Sequence, residues 1–190
     1  ERQRRDLHDY KNQLTCIQGL LLEDRREEAL HYVETLNGRL RKNADFVNTN
    51  HAVVNVVLNQ KYQSALERNI TMLLSVNDLS GLTMREEDLV TLLVNLLDNA
   101  VEACEKLEEN RVIRFKMVLE EGELILSVRN PVAVPVIIDG KRIVTTKKDG
   151  GNHGIGLLNV NGVIERSGGT SALRCEDGWF CFSAMIPAAE

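Results

Sequence analysis

The sequence predicts an α+β chain in two parts: a two-helix hairpin over residues 1–46, followed by an α/β sandwich over residues 47–190. Three observations carry this. Apolar residues at 3-4-3-4 spacing run through a proline-free opening stretch. From about Asn48 the pattern changes to strand-like and helix-like segments in mixed order. Turn and cap signals then separate those segments into one sheet covered by helices.

In the first part, Leu7, Tyr10, Leu14, Ile17 and Leu21 form the apolar seam of a helix that packs on other helices at a shallow angle. Residues 23–26 are polar and read as a tight turn, and Asp24 with Glu27 resembles a capping box opening a second helix. Ala29, Val33, Leu36, Leu40 and Val47 continue the seam. A hairpin of two helices buries little apolar surface alone, so dimerisation into a four-helix bundle is its natural completion.

In the second part, residues 53–66 read as an amphipathic helix and residues 70–76 as a strand. Thr83 with Glu86 forms a second capping-box pattern ahead of a long helix over roughly 86–107. Residues 112–119 and 124–128 read as paired strands around Glu121-Gly122. Residues 130–153 read as a long irregular segment with room for an edge piece near 134–138. A helix over 155–166 closes on Gly168-Gly169, and a final hairpin turns at Asp177-Gly178.

Composition narrows the classes. The 190 residues are 43% hydrophobic, which allows a real core, and the net charge of −5 gives no global basic field of the kind that attracts nucleic acid. The opening run Arg2-Gln3-Arg4-Arg5 reads as a solvated helix face. No apolar stretch reaches the ~18 residues needed to cross a bilayer. The chain opens on Glu1 rather than Met, which points to a segment of a longer protein, with any membrane part lying before it. Of the four cysteines, three sit inside apolar patterns and read as small buried hydrophobes. Cys175 and Cys181 flank a hairpin turn, where a disulfide is a minor alternative.

Three constellations carry chemistry. The long helix is apolar nearly throughout, yet Asn95, Asp98, Asn99 and Glu102 interrupt it at i, i+3, i+4 and i+7, on one stripe. Carboxamide and carboxylate oxygens there suit a hard cation such as Mg²⁺ bridging to phosphates, although any surface helix carries a polar face. Second, Asn152-His153-Gly154-Ile155-Gly156-Leu157 leads straight into a helix, where glycines admit a ligand close to the backbone and free N–H groups meet an anion. The preceding segment, Thr145 to Gly151 with Lys147 and Lys148, suits a mobile cover over phosphates. Third, His8-Asp9-Tyr10-Lys11-Asn12 places an imidazole beside seam residue Leu7, with Asp9 able to polarise it and Asn12 one turn below.

Together these blocks resemble a sensor histidine kinase of the GHKL superfamily, in the branch that includes peptide-pheromone receptor kinases. His8 to Asn12 resembles the H box, Asn95 to Ala103 the N box and His153 to Leu157 the G2 box, in the family's order. The resemblance implies ATP and Mg²⁺ as cofactors, a homodimer, autophosphorylation of His8, and transfer to an aspartate on a response regulator receiver domain. It implies that this is the cytoplasmic portion of a cell-membrane protein. It gives Asn99 the Mg²⁺-binding role, Asp9 the activation of the histidine, and Asn12 the orientation of a water in phosphatase reactions. Asn95 stands where GHKL ATPases carry a water-activating glutamate, and an amide cannot serve as that base. Most histidine kinases carry a DxGxG box, where this chain reads Val128-Arg129-Asn130-Pro131. The pheromone-receptor branch resembles this, and Asn130 is thereby assigned to the adenine pocket. The expected nucleotide contacts are therefore Asn95, Asn99, Asn130, Lys147, Lys148, His153, Gly154, Ile155, Gly156 and Leu157. Two rivals stand beside this reading: a GHKL ATPase or serine kinase in which His8 is incidental, and a dimeric phosphotransfer scaffold with a degenerate ATP fold.

Overall fold

The structure is a computed structural model that describes residues 2–37, 47–139, 142–144 and 155–188, without the side chains of residues 2–10 and 34–37 and of several others near the gaps. The chain divides into two compact units, Glu1–Ala44 and Asp45–Glu190.

The first unit contains helices α1 (Arg2–Leu22) and α2 (Arg26–Asn37), which contact one another. The connection is tight because Asp24 takes a left-handed φ of 56° and Arg25 N donates to Leu20 O at 2.9 Å. The expected Asp24–Glu27 box is not used. Asp24 instead pairs with Arg26 at 3.3 Å, and the Arg25 guanidinium holds Glu28. Within this unit the seam residues Leu14 and Leu21 stay 54% and 53% exposed, so the packing of α1 on α2 does not bury them.

Val47, read as the end of that seam, belongs to the second unit. The reason is polar: Val47 N donates to Asn59 Oδ1 at 2.9 Å while Asn59 Nδ2 returns a bond to Val47 O at 3.0 Å. The buried carboxamide thus binds the backbone as a neighbouring strand would, and fixes Val47 against helix α3 (Ala52–Glu67).

The second unit is a two-layer sandwich. Strands β1 (Thr71–Val76), β2 (Val112–Glu120), β3 (Glu123–Pro131), β6 (Thr170–Glu176) and β7 (Trp179–Pro187) form one mixed sheet in the order β1-β2-β3-β7-β6. Only β1 and β2 run parallel, because helix α4 (Glu86–Glu105) crosses between them. The hairpins turn at Glu121-Gly122 and Asp177-Gly178, all four residues at positive φ. A separate small ladder, β4 (Ile137–Asp139) with β5 (Arg142–Val144), lies in the segment expected to be irregular. Helix α5 (Ile155–Arg166) ends at Gly168, whose φ of +70° lets Gly169 N reach Ile164 O at 2.8 Å.

One face of the sheet buries Ile113, Phe115, Met117, Leu124, Leu126, Val128, Phe182 and Ile186 under α3, α4 and α5. Truncating Phe115, 1% exposed, to alanine costs roughly 3–5 kcal/mol by lost transfer energy and cavity formation. The Cys104 thiol is sealed in this core, and burial pushes its pKa up to about 11, so it is chemically quiet. Cys16 is exposed, and Cys175 and Cys181 are half-buried free thiols; Cys175 pairs in register with Phe180 and Cys181 with Arg174, so the two thiols face opposite sides of the sheet.

Thr83 does not cap α4 as the sequence pattern implied. Its hydroxyl donates to Ala188 O at 2.6 Å, and Arg85 occupies the cap position without a side-chain bond. The α4 start is instead held by Asp88, whose carboxylate accepts from Arg166 at the end of α5 and from Arg85 Nε at 3.0 Å. The hydrogen bond from Arg166 leads in holding the Asp88 carboxyl below the usual carboxylate range. A depressed native pKa means stability present above the ordinary carboxylate range and lost as pH falls through the native value. Asp88→Asn should cost roughly 1–3 kcal/mol at neutral pH, with the gap to wild type closing as the solution is acidified; denaturant melts across pH check it, and a gap independent of pH contradicts the assignment.

Candidate functional site

Helix α4 is buried on several sides: Leu89, Leu92, Leu93, Leu96, Leu97, Ala100, Val101 and Cys104 are all in the core. Against that background the polar stripe separates into different environments. Asn95 is half-buried, and its Nδ2 donates to Thr91 O at 2.7 Å, one turn back on the same helix. That bond fixes the carboxamide so that Oδ1 lies against α5, where a Cβ on Gly156 would stand 2.9 Å from it. Gly156 is therefore required by packing as well as by its place at the start of α5.

Asp98 departs from the expected role. Its Oδ1 lies 2.5 Å from Lys61 Nζ of α3, a lysine whose side chain is only 16% exposed. Lys61 was not singled out in the sequence. Its signal was present, a lone cation inside the apolar pattern of α3, facing a carboxylate on the next helix. Asn99 is exposed and makes no hydrogen bond to a described residue. Glu102, one turn on, is exposed as well.

Asn130 is 2% exposed at the end of β3, on the face covered by the helices, opposite Phe180 of β7. Its Nδ2 donates to Pro131 O at 3.0 Å, while its oxygen accepts from no described residue. Gly156 and Leu157 lie in the first turn of α5, Leu157 packed on the core; Ile155 begins that helix. The first backbone N–H groups of α5 have no partner within the helix, which leaves them for an anion. Lys147, Lys148, His153 and Gly154 lie outside the described residues. His8, Asp9 and Asn12 all lie on α1 in the first unit; Asn12 is exposed, and the side chains of His8 and Asp9 are outside the described ones.

The structure thus brings Asn95 and Gly156 into contact and ties α4 to α5 there. The oxygen of Asn99 and the N–H groups at the α5 start suit a magnesium nucleotide, since Mg²⁺ takes few protein ligands and keeps several waters. An acceptor at Asn130 suits an exocyclic amine. Among the described residues there is no cluster of three or more His, Cys, Asp or Glu able to hold a metal on its own.

Residues 84–187 match the family model of the GHKL domain, more than half of the chain. The chain belongs to the GHKL family. Among solved structures it is similar to the nucleotide-free catalytic domain of the histidine kinase ThkA, with a TM-score of 0.57 at 20% identity, over 75% of this chain and 94% of that one. It is also similar to the Acinetobacter baumannii histidine kinase AdeS, with a TM-score of 0.51 at 19% identity, over 96% and 98% of the two chains. These likenesses establish the fold of a histidine kinase catalytic domain. No curated protein sequence matches the chain significantly.

The contact between α4 and α5 is testable. Gly156→Ala should cost about 1–2 kcal/mol by overpacking against the anchored Asn95. In an Asn95→Ala background the same change should cost much less, because the opposing oxygen is gone. A double-mutant cycle by chemical denaturation gives the coupling, and additive effects contradict the geometry.

Proposed function

We propose that the chain is the cytoplasmic catalytic region of a two-component sensor histidine kinase, using MgATP to phosphorylate its own His8 and passing the phosphoryl group to an aspartate on a response regulator. The observation that carries this reading is the pairing of the α4 carboxamides with the α5 start in a GHKL fold: Asn95 locked against Gly156, and Asn99 exposed one turn on.

The bound nucleotide would supply the phosphoryl group, and its magnesium ion the neutralisation of phosphate charge. Asn99 would contribute a neutral oxygen to that ion. Asn130 would accept a hydrogen bond from the base, and the first N–H groups of α5 would face the phosphates. Lys147, Lys148, His153 and Gly154 complete the proposed cover and loop. Asn95 holds its amide on Thr91 O and carries no titratable group, so it cannot take a proton from water. That favours transfer to a side chain over hydrolysis. The acceptor belongs to the other unit, where Asp9 would hold one nitrogen of His8 and leave the other as nucleophile, with Asn12 one turn away. The exposed Leu14 and Leu21 support pairing of two copies through the first unit as a homodimer. Among the described residues no helix is long and apolar enough to cross a membrane.

Asn99→Ala should weaken magnesium-dependent ATP binding at least tenfold, or about 1.4 kcal/mol, and abolish autophosphorylation. It should not unfold the protein, because Asn99 is exposed and bonded to no described residue. Isothermal titration with and without Mg²⁺ decides it, with circular dichroism as the control. Absence of binding by wild type at millimolar MgATP would overturn the kinase reading in favour of a dimeric scaffold with a degenerate nucleotide site.

A further inference from the structure

The face of the sheet turned away from the helices carries a charge pattern that nucleotide binding does not use. Strand registers fix which residues share that face. Arg114 on β2 stands opposite Arg129 on β3, which stands opposite Cys181 on β7, itself opposite Arg174 on β6. This row of three arginines crosses the sheet. Arg114 and Arg129 each lie 5.5 Å from the ring centre of Trp179, and none of the three makes an ion pair with a described residue. A shallow open groove of about 690 Å³ runs over Arg129, Arg174, Trp179 and Cys181 and also takes in the acidic Glu176 and Asp177.

At the other end of the same two strands the sign reverses. Glu120 on β2 faces Glu123 on β3, both exposed, again without an ion pair among the described residues. Between the two ends lie Lys116, Ser127 and Ser183, then the apolar Val118, Ile125 and Met185, of which Val118 is buried and Met185 is 47% exposed. The same face therefore runs from basic, with Lys116 extending that end, through weakly polar and apolar to acidic over the seven residues 114–120, roughly 20 Å of strand.

We propose that this face pairs with the same face of a second copy of the chain. A two-fold axis lying between the sheets and across the strands, level with Met117 and Leu126, reverses the row order. It sets Arg114 of one copy over Glu120 of the other and Arg129 over Glu123, and each pair recurs by symmetry. The midpoint of 114 and 120 is 117 and that of 129 and 123 is 126, and Met117 and Leu126 are register partners, so one axis satisfies both pairs. Met185 then meets the Ser183 level of the other copy, which the same axis exchanges with it. An isologous contact needs this kind of self-complementarity, and stacked sheets pack face to face at about 10 Å. Strands β2, β3 and β7 span the ~20 Å, while β1 stops level with Met117 and β6 level with Met185; three strands about 4.8 Å apart give roughly 300 Å² per copy, below what a stable interface buries, so the association is weak and concentration-dependent. An acidic peptide would use the arginines but leave the glutamates without a role. The pairing uses none of the residues assigned to nucleotide binding and none of the first unit.

Two variants of the full chain test it: Arg114→Glu/Arg129→Glu, whose face is acidic at both ends, and Glu120→Lys/Glu123→Lys, whose face is basic at both ends. Sedimentation velocity over a concentration series should show wild type associating in a salt-sensitive manner. Each variant alone should associate at least tenfold more weakly. An equimolar mixture of the two should regain the association, because the acidic face meets the basic one at both ends. Misfolded variants could not recover on mixing, so recovery establishes the contact. Wild-type behaviour in either variant overturns the proposal, as does a mixture no heavier than its parts. Loss confined to the arginine variant also overturns it, and points to an acidic partner instead.

Discussion

Helix α4 has to be buried against the sheet and against two other helices while keeping amides and carboxylates along one line, and the rest of the second unit is arranged around that conflict. An unsatisfied carboxamide or carboxylate in an apolar interior costs a few kcal/mol. Each polar group of α4 resolves the cost differently. Asn95 binds its own helix through Thr91 O. Asp98 is paired with Lys61. Asp88 takes two arginines, one from each side. Asn99 and Glu102 remain exposed. The helix is thereby fixed at its start by Asp88 and in its middle by Lys61 and Gly156, which leaves the exposed amide in a defined place.

Fixing α4 in this way also positions α5. Arg166 at the end of α5 reaches Asp88 at the start of α4, and Gly156 near the start of α5 meets Asn95. The two helices are therefore pinned at both ends of their contact, and the open backbone groups of α5 keep a constant relation to the α4 carboxamides. Preorganisation of this kind is what a site working by positioning and charge neutralisation needs. The opposite face of the sheet is free of these demands, and its row of arginines and pair of glutamates are unconstrained by the site.

The period of the apolar residues made most of the fold legible. The bounds of α5, the two hairpin turns and the strands β2, β3, β6 and β7 followed from alternation and from Gly122, Gly168 and Gly178 at positive φ. Local rules failed where a distant partner intervened. Thr83 looked like a cap but binds Ala188 O, 105 residues away. Val47 looked like a seam residue until Asn59 claimed its backbone. The small β4–β5 ladder was hidden because three-residue strands leave no periodicity. In the site, the Asn95 to Glu102 stripe and the glycine at 156 were visible as spacing. The diversion of Asp98 to Lys61 was not, because nothing in either helix alone fixes which faces of α3 and α4 meet.

The account turns on whether the second unit serves a histidine in the first. The most direct measurement is to incubate the full chain with MgATP labelled at the γ-phosphate, then locate the phosphoryl group by mass spectrometry under alkaline handling that preserves phosphohistidine. The account predicts acid-labile phosphate on His8 alone. Acid-stable phosphate on a serine or threonine, or release of free phosphate with none retained on the chain, would contradict it.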